Sequence, residues 1–186
     1  MARSRWSLSS WAALAFGALL GTPHVAAAAD QIFVLVDGIA GSSTDARHVG
    51  WIDAYAAGNS VAIAMPTPTT GGQGTVTSFS DFSVLKGIDS ASPALFVTAA
   101  KGQHLRTVDV EFVRPGQEPF TYFKIQLSDA TITGVRTNAN STDDSITEFV
   151  TFSYRRIRWE YTPQRADGSP GTKVIRCWDV AQRVDC

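Results

Sequence analysis

The side chains that could carry out chemistry are few, and one group of them lies within a single short segment. Ser42 and Ser43 are followed by Asp45 and His48, the residue types that serve as nucleophile, orienting carboxylate and general base in acyl transfer. The segment is a small, polar, glycine-bearing loop and lacks the strand-turn-helix setting that presents a nucleophilic serine. Such side chains usually form turns. We therefore expect no catalytic residues here and a protein that is not an enzyme.

Two further patterns could bind ligands, but each lacks a part that binding requires. Residues 71–75 are glycine-rich but have no lysine and no following helix, both of which a phosphate-binding loop needs, so a flexible connection is favoured. Asp143, Asp144 and Glu148 offer carboxylates for calcium, yet their spacing and the missing glycine do not fit a dedicated calcium loop. We predict no metal site and no cofactor.

Polar and aromatic side chains leave two weaker alternatives open. Residues 140–142 read Asn-Ser-Thr, which matches an N-glycosylation acceptor, although so short a pattern often arises by chance. Trp51, Trp159 and Trp178 could stack on a sugar, but aromatic residues in small β-barrels mostly fill cores or interfaces. We favour the core or interface interpretation.

The first 29 residues have the order of a secretory signal peptide. Arg3 and Arg5 precede the apolar residues 11–20, and a small-residue stretch ends in alanines before Asp30. This apolar run is too short to cross a bilayer, which needs about 20 residues. We expect cleavage before Asp30, which leaves one secreted or periplasmic domain, residues 30–186.

The expected mature domain is weakly acidic. Without Arg3 and Arg5 it has 14 basic and 17 acidic side chains, a net charge of −3, which disfavours nucleic acid and anionic membrane surfaces as partners.

Cys177 and Cys186 lie close together in a chain expected to meet an oxidising compartment, so we predict a disulfide between them. Free or intermolecular thiols remain the alternative.

The hydrophobic pattern predicts a mostly β domain with one short helix at about 89–101, capped by Asp89 or Ser90 and ended by Gly102. Period-two alternation is clearest in the later strands. The apolar face of the long strand 148–162 changes phase around Arg155 and Arg156, which indicates a bulge or a strand that passes between sheets, as in a closed barrel. Strands are predicted at 32–36, 60–65, 105–113, 121–127, 148–162 and 173–180.

Several of these segments together resemble the haemolysin-coregulated protein (Hcp) family, the tube subunit of type VI secretion systems. The resemblance runs over about residues 32–180, and its order and spacing are more specific than any single motif. It rests on the opening 33–39 with Gly41, Ser42, Ser43, Thr44, Asp45, His48 and 51–53, on 79–82 and 88–95, and on 160–164, Asp167, Gly168, Trp178 and Asp179.

The resemblance implies a single β-barrel of two antiparallel sheets with a flanking helix and an extended loop at about 38–51. It also implies hexameric rings that stack into a tube, small protein effectors carried in the lumen, a spike protein as partner, and no active site. The extended loop would contact an adjacent subunit or ring, its alternative being an ordinary mobile loop. The residues placed in this contact are Asp37, Gly38, Gly41, Ser42, Asp45, His48 and Trp51.

The leader and the cysteine pair depart from the family pattern. Tube subunits assemble in the cytosol and leave through the secretion machine, so they normally lack a signal peptide. The two departures agree with each other, because a disulfide suits an oxidising destination. They leave open an alternative function, an exported monomeric ligand-binding β-barrel that has lost the tube role.

Overall fold

The structure, a computed structural model, describes residues 29–64, 76–139 and 146–186. Four sequence-based predictions lie outside these ranges: the signal peptide, the glycine-rich segment 71–75, the acceptor pattern 140–142, and the carboxylates of Asp143 and Asp144. Among the described residues, no helix has the length and apolarity needed to span a membrane.

The described residues form ten strands and one helix. In chain order, these are β1 Gln31–Val36, β2 Ile52–Gly58, β3 Val61–Ala64, β4 Val76–Phe79, β5 Phe82–Gly87, α1 Ser92–Ala100, β6 His104–Arg114, β7 Phe120–Asn138, β8 Thr147–Tyr161, β9 Val174–Asp179 and β10 Val184–Asp185.

The strands form two antiparallel sheets, and the larger one closes into a barrel. Its order is β10-β9-β8-β5-β2-β1-β6-β7, and β7 also pairs with β8, so six strands return to their start. Closure leaves β9 and β10 as an extension beyond β8, while β3 and β4 form the separate two-stranded sheet. The predicted mostly β barrel is confirmed.

The barrel is filled by the inward faces of its strands. In β6, Val108 and Val110 are buried while Asp109 and Glu111 point to the outer face, as the alternation predicted. In β7, Ile125 and Leu127 are buried on the same side of the sheet. Burial of such apolar side chains is the main favourable contribution to the stability of the barrel.

The phase change in β8 marks the point where this strand exchanges one neighbour for another. Residues 147–152 pair with β5, whereas residues 156–161 pair with β9. The buried face moves from Phe152 to Ile157 across this gap. The predicted passage between sheets was wrong, because β5, β8 and β9 belong to one sheet and the strand changes partners within it. The predicted bulge at Arg155 and Arg156 is also not seen, since the register shift between β7 and β8 lies between Ile132 and Gly134.

The helix differs from its prediction at one end. It begins at Ser92 rather than near Asp89, and the N-cap position is Ala91, which makes no side-chain cap. The predicted cap was wrong because the later start leaves Asp89 and Ser90 ahead of the N-cap position. The Asp89 carboxylate instead binds Lys86 and accepts from the Ala91 N–H at 3.0 Å. The other end agrees: Gly102 has φ +57° and donates to the Ala99 carbonyl.

Candidate functional site

The segment 37–51, here called the assembly loop, joins β1 to β2 and contains all seven of its predicted contact residues. It closes on itself: the Gly41 N–H donates to the Gly50 carbonyl at 2.8 Å, and the Ser43 N–H donates to the Trp51 carbonyl at 2.9 Å. Gly41 is required here because a Cβ would lie 2.3 Å from the Trp51 carbonyl oxygen. The loop is therefore a compact hairpin held against its own end.

Two polar contacts anchor the assembly loop to the rest of the domain. At its start, both carboxylate oxygens of Asp37 accept from Arg106 of β6 at 2.8 Å, and this hydrogen bonding lowers the pKa of Asp37. Further along, the Ser42 hydroxyl donates to the Ser90 hydroxyl at 2.9 Å and accepts from the Ser90 N–H at 3.0 Å. The loop is thus tied both to the barrel and to the turn before α1.

His48 occupies the centre of the assembly loop and is buried, with 3% of its surface exposed. Its ring stacks on Phe33 at a centroid distance of 4.0 Å and meets the edge of Trp51 at 5.0 Å. Nδ1 lies 2.6 Å from Asp45 Oδ1, and Nε2 lies 3.1 Å from Glu111 Oε2. We call the group of His48, Asp45 and Glu111 the His48 clamp.

Both carboxylates of the His48 clamp favour their charged form. The hydrogen bond with His48 is the largest cause that lowers the pKa of Asp45. Burial by itself would raise the pKa of Glu111, but hydrogen bonds from Lys124 and His48 outweigh burial and lower it. The clamp therefore places two carboxylates around one imidazole ring.

This geometry does not form a hydrolytic triad. Both ring nitrogens of His48 face carboxylates, so neither is directed at a serine. The Ser43 hydroxyl accepts from the Asp45 N–H at 3.4 Å, and the Ser42 hydroxyl is engaged by Ser90. A general base must lie within hydrogen-bond reach of the proton it removes. Within the described ranges, the loop residues hold structure rather than activate a nucleophile.

Glu148, predicted as a weak calcium ligand, lies inside the protein instead. It is 0% exposed, and its Oε2 accepts from Lys86 Nζ at 2.8 Å, with Lys86 itself 1% exposed. Lys86 also contacts Asp89 at 2.7 Å and Ser92 at 3.0 Å. The part of the chain that the structure describes contains no group of three or more residues arranged to hold a metal ion.

The buried pair of Lys86 and Glu148 was missed from the sequence, although each position carried a signal. Lys86 shares the inward phase of Phe82 and Val84, and Glu148 shares the inward phase of Val150 and Phe152. The two charged residues face each other directly in the pairing of β5 with β8. An unbroken period-two pattern would have placed both of them in the core.

The predicted tryptophan residues contact protein groups. Trp51 meets the edge of His48, Trp178 stacks on Phe79 at 6.4 Å, and Trp159 packs against the core. Trp178 also packs against the core cluster. These contacts agree with the core interpretation over the sugar-stacking alternative.

Cys177 and Cys186 are bonded in the structure, with Cα atoms 5.2 Å apart. The bond fastens β10 and the end of the described chain to β9. We expect the double variant Cys177→Ser, Cys186→Ser to lose about 2–3 kcal/mol of unfolding free energy, because the open chain regains loop entropy when it unfolds.

Denaturant titration of both proteins, with and without a reducing agent, checks this expectation. The reducing agent should shift the native midpoint towards that of the double variant and leave the double variant unchanged. Equal midpoints in all four titrations would mean that the bond does not restrain the unfolded chain.

The helix presents an apolar surface to the outside. Its inward side is narrow and partly polar, formed by Ser92, Leu95 and Thr98. Its exposed side, here called the outer face of α1, carries no charge until Lys101. The members of this face are Pro93, Ala94, Phe96, Val97 and Ala100. An apolar patch on the surface is typical of a protein contact.

Comparison with known proteins relates this chain to one protein family. The family model described as "Type VI secretion system effector, Hcp" matches residues 33–161. Protein Hcp1 of Pseudomonas aeruginosa is 30% identical over 106 residues, which are 56% of this chain and 65% of that relative, so the match spans less than two thirds of the relative's length.

Solved structures of type VI secretion proteins share the fold of this chain. The crystal structure of Hcp1 from Salmonella typhimurium is 24% identical and covers 86% of this chain and 100% of that one, with a TM-score of 0.71. A type VI secretion system effector from Yersinia pestis is 28% identical and covers 80% and 99%, with a TM-score of 0.65.

Proposed function

Since this chain belongs to the Hcp family of type VI secretion systems, we propose that its copies close into hexameric rings that stack into a tube. Following the family resemblance, we extend this to small protein effectors as cargo and to a spike protein at the tip. The protein works through assembly and binding, and no catalytic step is part of its role.

The outer face of α1 is the observation that carries this proposal. A ring closed by rotation needs two different, complementary patches on each subunit. Phe96 and Val97 are exposed on a helix that turns Ser92 and Thr98 inward, the reverse of a helix that faces water. We place the second patch on the side of the barrel that carries β9, where the paired neighbours Tyr161 and Val174 are both exposed.

The assembly loop supports a further contact between subunits or rings. Its base is held by Asp37 and Ser42, while Val49 near its end is 72% exposed. A large apolar side chain displayed on a braced loop is suited to insertion into a neighbour, because little conformational entropy is lost on binding. We place the loop contact at Val49 and the residues beside it.

Val97→Lys is expected to weaken assembly at least about tenfold, because it places a charge in an apolar interface. The stability of the single subunit should stay within about 0.5 kcal/mol, since the side chain is already exposed. Sedimentation across a range of concentrations measures the assembly constant, and thermal unfolding checks the subunit.

Gln103→Lys is the matched control, because it adds the same charge to an exposed position just beyond the helix. For the native protein, native mass spectrometry should give six times the subunit mass, and negative-stain images should show rings. A strict monomer at high concentration, or equal assembly of the Val97→Lys and Gln103→Lys variants, would contradict the proposal.

The leader is the feature that adds export to this role. We propose that it is removed before Asp30 and that the domain acts in the periplasm or outside the cell, where the bond between Cys177 and Cys186 is maintained. Mass spectrometry of protein recovered from the periplasm tests the cleavage position directly. A chain recovered only from the cytosol with its leader intact would exclude this route.

A second candidate function is an exported, monomeric, ligand-binding barrel. The observation that favours it is a depression on the outer face of β6–β8, next to Trp51. Its lining combines apolar residues with six polar or charged ones: Asp109, Glu111, Lys124, Gln126, Arg158 and Glu160. Hexagonal rings in images of the purified domain would exclude this candidate, and a monomer at every concentration would favour it.

A further inference from the structure

We propose that the His48 clamp is a pH-sensitive latch, which holds the assembly loop shut while His48 is protonated and releases it when the imidazole loses its proton. The latch itself depends only on the described residues. Its consequence for contacts between subunits rests on the proposed function.

The chemistry of the two contacts requires a doubly protonated ring. A carboxylate oxygen only accepts hydrogen bonds, so each ring nitrogen must carry a proton to donate to its partner. Nδ1 faces Asp45 Oδ1 at 2.6 Å, and Nε2 faces Glu111 Oε2 at 3.1 Å. The neutral ring has one N–H, and its other nitrogen would turn a lone pair towards a carboxylate.

Burial makes the loss of this ring proton costly. Phe33 covers one face of the ring at 4.0 Å, with an angle of 2° between the ring planes, and Trp51 lies against its edge. Water has little access to a side chain that is 3% exposed, so it cannot replace the lost donor. The neutral ring would instead be relieved by movement of the loop that carries it.

The charged groups around the ring come from three elements. The assembly loop contributes Asp45, whose Oδ1 also accepts from the Arg47 N–H at 3.0 Å. Strand β6 contributes Glu111, and β7 contributes Lys124, whose ammonium group binds the other oxygen of Glu111. The β1 residue in contact, Phe33, is uncharged. Glu111 is thus held in place from β7, so it continues to face the ring when the proton leaves.

Release would free the residues that the latch restrains. The Gly50 N–H bond to the Ser43 carbonyl, at 2.9 Å, and the Ser43 N–H bond to the Trp51 carbonyl both span the part of the loop that contains His48. Gly38 and Gly50 have φ values of +76° and +75°, a region that glycine enters without strain. The segment between them carries Val49, so the latch controls how this side chain is displayed.

At acidic pH the stability of the loop changes in the opposite direction, because it is lost as the pH falls. The pKa values of Asp45 and Glu111 are both lowered in the fold. A carboxylate with a lowered pKa contributes stability that is present above its unfolded pKa and is lost as the pH falls through its folded pKa. Loss on the alkaline side comes from the imidazole, because its deprotonation removes one of the two N–H donors. Protection of the loop should therefore be greatest at pH values between the acid loss and the alkaline loss.

Hydrogen–deuterium exchange of residues 41–51 in the full mature domain tests the latch. After correction for the intrinsic pH dependence of exchange, protection of these amides should fall at least about tenfold between about pH 6 and 8.5, the order expected for one charge-assisted hydrogen bond. Peptides from the centre of β6 serve as the internal reference, because their residues Val108 and Val110 are fully buried.

Two histidine variants separate the latch from a general effect of pH. His48→Gln cannot titrate, so its loop protection should be low and nearly constant over the alkaline range. His104→Gln removes the other described histidine, an exposed residue 3.5 Å from Asp129, and should behave as the native protein does. A flat native profile, or an alkaline loss that persists in His48→Gln, would overturn the proposal.

Glu111→Gln gives a second test if His48→Gln does not fold. Its amide can donate to the lone pair of a neutral ring, so the alkaline loss of protection should shrink, and an unchanged loss would also overturn the latch.

Sedimentation of the same samples separates the latch from the proposed tube role. Monomers at every pH with the expected exchange profile would remove the tube role and keep the latch, whereas rings with a flat profile would remove the latch alone.

Discussion

Lys86→Met is expected to lower the free energy of unfolding by about 3–5 kcal/mol, because it leaves the carboxylate of Glu148 buried without its partner. Both side chains are inaccessible to water, and the two are neighbours across β5 and β8. Lys86 also contacts Asp89 and Ser92 at the start of α1. The substitution therefore removes one charge from a network that joins two strands and the helix.

Denaturant unfolding of the native protein and three variants measures this effect. The double variant Lys86→Met, Glu148→Leu should recover most of the loss, since an apolar pair can replace a buried ion pair at little cost. Lys173→Met is the matched control, because its partner Glu160 is reached from an exposed position, and the loss should stay below about 1 kcal/mol. A loss below about 1 kcal/mol for Lys86→Met would contradict the buried pair.

Phe152→Ala is expected to lower the free energy of unfolding by about 3–5 kcal/mol, through lost burial and the cavity left behind. Phe152 is fully buried and pairs with Phe82 on β5 and with Ile132 on β7. It therefore lies at the junction where β8 closes the barrel. Its paired neighbours belong to two other strands, so they cannot collapse into the space without altering the register of the barrel.

Phe149→Ala is the matched control for this prediction. Phe149 is the same residue type on the same strand, but it points to the opposite face and is half-buried beneath the Arg136 guanidinium, 5.5 Å away. Its loss should be about 1 kcal/mol. Chemical unfolding followed by circular dichroism compares the two variants, and equal losses would mean that the inward face of β8 has been assigned incorrectly.

Four strands were not predicted, and their composition explains why. β5 alternates Phe82, Val84 and Lys86 on its inward side, so a lysine interrupts the apolar pattern of the buried face. β2 is rich in alanine, and none of its residues beyond Ile52 is buried. β4 and β10 have four and two residues, too few to establish a period. Local patterns are weak where burial depends on a partner strand.

The assembly loop was also predicted only in part from its own sequence. Its glycines and polar side chains predicted a loop, and their order carried the family resemblance. The role of His48 could not be predicted from the loop alone, because the ring stacks on Phe33 of β1 and one of its two carboxylate partners lies 63 residues further along the chain. The hydrolytic interpretation was disfavoured by the local setting, and the contacts of His48 give the physical reason.

The sequence alone determined the β class, the inward and outward faces of β6 and β7, the end of the helix at Gly102 and the family. These depend on short-range properties: period-two alternation, the left-handed backbone that glycine permits, and the order of motifs. Only the tertiary structure decided that Lys86 meets Glu148, that His48 lies between two carboxylates, and that α1 exposes its apolar side. These contacts follow from the register and closure of the barrel, which join residues far apart in the chain.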